Sequence, residues 1–256
     1  MVYQVVSVAD LPPGYTEWPA PAGLRHAIAC LWAQVTLDGG DREGLVLPDA
    51  CSDLIWAPGQ GAFVAGPDTG PVRTVMTAGT VMVGVRFRPS AGGPAFGVPL
   101  SELRDLRVGL ADLRRRDAGR LPGTLDPDVA LARALDVAAA LVAEREPDPA
   151  VARAAKLLAD PRAPAGEVAA QIGLSVRQLR RRCHDAVGYG PKTLQRVLRF
   201  RRFVSRIDAA PTGPGALDLA ALAAQAGYAD QAHLTRECRE LAGLTPAALA
   251  RQRVLG

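Results

Sequence analysis

The chain has 256 residues, 48% hydrophobic and 22% charged, with a formal net charge of +4. That length holds one large domain or two ordinary ones with real cores, and the composition excludes disordered and fibrous classes. Its apolar runs are short and interrupted, so no membrane-spanning helix is expected.

The chain opens on MVYQVVSVADLPPG, which lacks a basic n-region and a long apolar stretch, so no signal peptide is expected. Cys30, Cys51, Cys183 and Cys238 form no CxxC pair. That suits a reducing cytoplasm and offers no disulfide or zinc framework. Over the first hundred residues, Gly and Pro punctuate short apolar runs. Val81, Val83, Val85 and Phe87 alternate with Met82, Gly84, Arg86 and Arg88, the period of a half-buried strand. Many short strands with such turns predict a β-rich, barrel- or sandwich-like domain. Residues 26–37 fit either a short helix or a strand.

No chemical signature stands out in this front half. The three histidines, His26, His184 and His233, lie far apart, and there is no G-x-S-x-G, no P-loop and no G-x-G-x-x-G in a strand–helix context. Neither a cofactor nor a metal nor catalysis is expected. Asp49, Cys51, Asp53, Arg86 and Arg88 are a candidate ligand pocket in which Arg86 or Arg88 clamps an anion. Turn-forming acids, a buried thiol and ordinary ion pairs at strand edges are the expected reading ahead of that one. Trp18, Trp32 and Trp56 fit a pocket wall or core packing.

From about residue 101 the pattern turns helical. Residues 128–146 place Val129, Ala132, Leu135, Ala139 and Val142 on one stripe, between Pro127 and Pro147. Such a helix packs on its own domain or dimerises. The break at residues 146–149 divides the chain into 1–146 and 147–256. The first part carries 13 Lys and Arg against 17 Asp and Glu, and the second 17 against 9. Only the second is suited to a polyanion. It reads as seven helices, roughly 150–159, 165–172, 175–186, 191–207, 217–226, 230–241 and 246–252, with a loop over residues 211–215.

Within it a motif occurs twice. Ala169, Ala170, Gln171 and Gly173 recur as Ala223, Ala224, Gln225 and Gly227. Leu179, Arg181, Cys183, Gly188 and Pro191 recur as Leu234, Arg236, Cys238, Gly243 and Pro246. Each copy has the outline of a helix-turn-helix, over about 165–186 and 217–241. Ser175 and Asp230 stand as N-caps of the second helices, and Leu179, Cys183, Leu234 and Cys238 fall on the core face. The opposite face carries Arg177, Arg180, Arg181 and His184 in one copy and Gln231, Thr235 and Arg236 in the other. Arg reads guanine and Gln reads adenine bidentately in the major groove. Arg182, Lys192, Arg196, Arg199, Arg202 and Arg206 suit phosphates or solvent.

GYADQAHLTRECRELAGLTP (residues 227–246) resembles the second-motif signature of the arabinose-regulator (AraC/XylS) family, and residues 167–191 resemble its first motif. The resemblance covers residues 150–253. It implies a seven-helix domain whose two recognition helices enter successive major grooves of promoter DNA. The family's base-reading positions fall on Arg177, Arg180, Arg181, Gln231, Ala232, Thr235 and Arg236, and His233 matches a position where the family often has His, for a phosphate contact or local packing. Cys183, Cys238 and Leu234 replace phenylalanines common in the family, which implies a core repacked with smaller residues. VLPDACSDLIW, VAGPDTG and VGVRFRPSAGGPAFGVPLSELRDL resemble, over about 20–110, an uncharacterised β-rich domain found ahead of such motifs.

The expectation is therefore an α+β two-domain, cytoplasmic, sequence-specific transcription factor, with a sensing or dimerisation domain followed by an all-α double helix-turn-helix. Its partners would be duplex promoter DNA and, as candidates, RNA polymerase, a small-molecule effector and a second copy. The alternatives are a front half that is an enzyme or accepts alkyl groups on Cys30 or Cys51, and one that only dimerises.

Overall fold

The computed structural model describes residues 7–209 and 218–255. The loop expected over residues 211–215 lies outside them. The β-rich front half is built from eight strands, among the described residues: β1 (Gly14–Pro19), β2 (Ile28–Val35), β3 (Arg42–Val46), β4 (Ser52–Ala57), β5 (Gly61–Ala65), β6 (Val72–Met76), β7 (Val81–Phe87) and β8 (Arg107–Gly109). Six form one antiparallel sheet in the order β1-β2-β7-β4-β5-β8, and β3 pairs with β6 in a separate ribbon. Of residues 26–37, Ile28–Val35 is strand, with β2 paired to β1 and β7. The short helices α1 (Gly92–Phe96), α2 (Leu110–Leu113) and α3 (Arg115–Ala118) follow, with a 3-10 turn at Leu100–Glu102, and then the long α4 (Pro127–Glu144).

Period-two alternation gives the sheet two different faces. Leu31, Leu54, Trp56, Val64, Val83, Val85 and Phe87 form one face and share a core with α4. The other face carries Cys30, Trp32, Ile55 and Ala65 in a small cluster of their own, together with Glu17, Asp53 and Arg86. A side chain at Gly84 would collide with the Trp32 indole, so the strand there must be glycine.

Helix α4 packs on its own domain. Asp126 caps it by accepting from the Asp128 amide, with Pro127 in the first turn. Its buried residues are Ala130, Leu131, Ala134, Leu135, Val137, Ala138, Leu141 and Val142. Of the stripe expected from the sequence, Leu135 and Val142 are buried, but Val129 and Ala132 are exposed and Ala139 is half-buried. The helix is apolar on most of its circumference, so spacing alone does not define its phase.

The C-terminal half comprises α5 (Pro149–Leu158), α6 (Ala165–Gln171), α7 (Val176–Val187), α8 (Pro191–Asp208), α9 (Leu219–Ala226), α10 (Gln231–Ala242) and α11 (Pro246–Leu255). Asp148 starts α5 by accepting from the amides of Ala150 and Val151. Leu179, Cys183, Leu234 and Cys238 are wholly buried in one core with Val197, Phe200 and Phe203 of α8. Helix α8 thus carries both helix-turn-helix units on one spine.

The two halves pack against each other. Leu47 and Ala50, from the turn between β3 and β4, join the C-terminal core. Ala50 adopts φ 68° there, a left-handed conformation rare for a residue with a Cβ. Residues 66–71, between β5 and β6, lie against the C-caps of both second helices. A Cβ at Gly188, which ends α7, would sit 2.6 Å from Pro67 Cγ, and one at Gly243, which ends α10, 3.6 Å from Pro71 Cγ. The Asp68 carboxylate anchors this segment by accepting from Arg107 at 2.8 Å through both oxygens. The Asp105 carboxylate accepts from the Thr69 amide at 2.7 Å.

Candidate nucleic-acid interface

Ser175 starts α7 with a reciprocal cap. Its hydroxyl accepts from the Gln178 amide at 3.2 Å, and Gln178 Oε1 accepts from the Ser175 amide at 2.8 Å. Asp230 caps α10 by accepting from the His233 amide at 2.6 Å. Each helix then ends at a glycine in the left-handed region, Gly188 at φ 90° and Gly243 at φ 68°. Both expected N-caps are in place, and each helix is held at both ends with one face outward.

On α7, Arg177, Arg180 and Arg181 are exposed. Among the described residues, no hydrogen bond or ion pair engages their guanidinium groups. On α10, Gln231, Ala232 and Arg236 are exposed, and Thr235 is half-buried. The Thr235 hydroxyl donates to the Gln231 carbonyl at 2.8 Å, so its proton is spent inside the helix. Ala232 presents a methyl group only. The α7 face is therefore the richer in free donors.

Five of the six basic residues expected to meet phosphates or solvent bond within the protein instead. Glu237, only 6% exposed, lies 2.5 Å from Arg199, 3.3 Å from Arg196 and 3.5 Å from His233. Arg196 also reaches Glu240. Arg199 lies 5.0 Å over the Tyr228 ring, a cation–π contact. These contacts tie α8 to α10 and leave Arg196 and His233 half-buried between the helices. Arg202 donates to the Ala159 carbonyl, Arg206 to Gln225 at 2.8 Å and Arg182 to Asp148 at 2.9 Å. Of the six basic residues set aside for phosphate or solvent, Lys192 alone stays exposed without such a partner among the described residues. Glu237 escaped the sequence reading, although its spacing from His233 on one helix face was a usable signal.

In the front half the structure brings together Asp49, Cys51, Asp53 and Arg86 and leaves Arg88 out. Arg86 lies 3.1 Å from Asp53, 3.3 Å from Asp49 and 2.7 Å from Glu17. The Trp32 indole donates to Asp53 at 2.7 Å. Burial opposes the charge of Arg86, but Asp53 and Asp49 outweigh it and raise the guanidinium pKa. Burial raises the Asp53 pKa, with Arg86 pulling it back. Three carboxylates of the chain already occupy this guanidinium. Arg88 instead donates to the Arg25 carbonyl at 2.7 Å, away from the cluster. Burial, reinforced by Asp49, pushes the Cys51 thiol well up, and burial pushes Cys30 up to about 12. Neither is a ready thiolate nucleophile.

Residues 168–252 match the family described as a helix-turn-helix domain, and residues 16–109 match a domain of unknown function, DUF6597. The chain carries an AraC-type helix-turn-helix domain. The C-terminal half is accordingly a helix-turn-helix domain and the front half a DUF6597 domain. A comparison with curated proteins found no match. Among solved structures, ToxT from Vibrio cholerae O395 is 8% identical, with 86% of this chain and 97% of that one covered at a TM-score of 0.46. The unsaturated fatty acid-bound wild-type ToxT from Vibrio cholerae strain SCE256 is 10% identical, with 86% and 90% covered at a TM-score of 0.40. Among the described residues, no helix is long and apolar enough to cross a membrane, and no group of three or more His, Cys, Asp or Glu could hold a metal ion.

Proposed function

We propose that this chain is a transcription regulator of the AraC type that acts on promoters by sequence-specific binding, with α7 and α10 reading successive major grooves of one duplex and the DUF6597 half modulating that reading. Arg177, Arg180 and Arg181 carry the first half-site, and Gln231, Ala232 and Arg236 the second. The observation that carries this reading is the set of three exposed arginines, free of internal partners, on a helix capped at both ends. An unpaired guanidinium on a rigid helix costs little to bring against guanine, whereas a buried pair would first have to be broken. The role of the front half is supported by residues 66–71, which touch the ends of both reading helices.

Selection of bound duplexes from a random library tests the assignment. The expected outcome is a bipartite, asymmetric site, because the two faces differ. A library that yields no preferred sequence would overturn it.

A further inference from the structure

An open cleft of about 400 Å³ lies where the front half meets the first helix-turn-helix. Arg104 lines it from the front half, Arg180 and His184 from α7, and Lys192 from the first turn of α8. None of its lining residues is acidic. The nearest carboxylate to Arg104 is that of Asp105, 4.0 Å away and already accepting from Thr69. Arg104, Arg180 and Lys192 are all exposed. Three permanent cations therefore line one space, and among the described residues only Arg104 has a carboxylate within reach, so the cleft keeps an excess of positive charge that favours an anion there.

We propose that this cleft takes a DNA backbone phosphate between Arg104 and Lys192, beside the base-reading Arg180, and that Arg104 of the DUF6597 half is itself part of the DNA interface. The proposal rests on the DNA-binding reading above. Two observations favour a duplex over a free ion. Arg180 and His184 form the flank of the same α7 face that carries Arg177 and Arg181, so the cleft continues the reading surface. Its cations are also contributed by three separate elements, which suits a strand passing across them better than a closed cage around one ion. Arg104 then supplies affinity without base preference, and the front half raises the number of phosphates neutralised.

The test is fluorescence anisotropy on a selected duplex across a series of salt concentrations, with the full chain. Arg104→Ala is expected to lower affinity roughly 3- to 10-fold on every sequence and to reduce the log–log salt slope by about 0.9. Arg104→Lys should keep most of that slope. Lys192→Ala, on the opposite wall, should repeat the loss, while Arg181→Ala should change sequence preference instead. Duplexes neutralised one phosphate at a time with methylphosphonate should contain a position that weakens wild type but not Arg104→Ala. Unchanged affinity and slope in a folded Arg104→Ala protein would overturn the proposal and leave the DNA reading standing. Wild type that binds no duplex would overturn both. Thermal stabilisation by inorganic phosphate that Arg104→Ala abolishes, with DNA binding unaltered, would make this a small-anion site and sink the proposal.

Discussion

Glu237 of α10 accepts from Arg199 of α8 at 2.5 Å, and its side chain is almost closed to solvent. The same carboxylate serves Arg196 and His233, so one buried acid holds three basic groups on two helices. Removing the charge leaves those groups facing each other. Glu237→Gln should cost about 3 kcal/mol, read as a lowered denaturant midpoint. A change within about 0.5 kcal/mol, the range of ordinary surface substitutions, would show the network to be energetically idle.

Arginines of similar sequence context should divide into two behaviours. Arg181→Ala and Arg236→Ala remove exposed donors and should lower specific DNA affinity by roughly 1–3 kcal/mol with little effect on stability. Arg196→Ala removes a brace and should lower stability first. Gel shifts and urea titrations on the same three proteins separate the two. Equal loss of stability in all three would contradict the division.

The repeat's two terminal glycines are not equivalent. Both have positive φ, so alanine at either meets backbone strain of about 1–2 kcal/mol. Only at Gly188 would the new methyl also run into Pro67, and into the Leu100 carbonyl at 3.1 Å. Gly188→Ala should therefore destabilise by about 2–4 kcal/mol and Gly243→Ala by about 1–2. Thermal melts of the two variants give the comparison, and equal losses would argue that the front half does not press on α7.

Burial pushes the thiols of Cys30, Cys183 and Cys238 up to about 12, from an ordinary value of 9.0. The folded state keeps these protons while the unfolded chain loses them, so stability should be full below pH 9 and fall as pH rises from about 9 towards 12. Urea midpoints measured across that range should fall less steeply for a Cys183→Val, Cys238→Val protein. A thiol reagent at pH 8 should leave all four cysteines unmodified in the native state, since all are buried. Rapid labelling of Cys30 or Cys51 would reopen the alkyl-acceptor alternative.

What could be read in advance was local. Ser175 and Asp230 announce helix starts by their own chemistry, Gly188 and Gly243 announce ends, and the alternation at β7 sorts its two faces. What escaped depended on distant partners. Arg196 and Arg199 look like free cations in a basic run, and only the fold reveals Glu237, about 40 residues further on, between them. Arg104 sits in an ordinary SELRDL stretch, and nothing local tells that α7 lies beside it. The phase of α4 was lost for a different reason: alanine is tolerated inside and outside alike, so an alanine-rich helix carries little information about which side is covered.

Residues 66–71 touch the ends of both reading helices, and this has a bearing on exchange of parts. A chimera that placed residues 147–256 behind an unrelated sensor would inherit every side chain proposed above to meet a base. It would not inherit the contact that spans the two helix ends. Such a fusion should recognise each half-site as before yet tolerate altered spacer lengths between them, unless the segment carrying Pro67 and Pro71 is grafted with it.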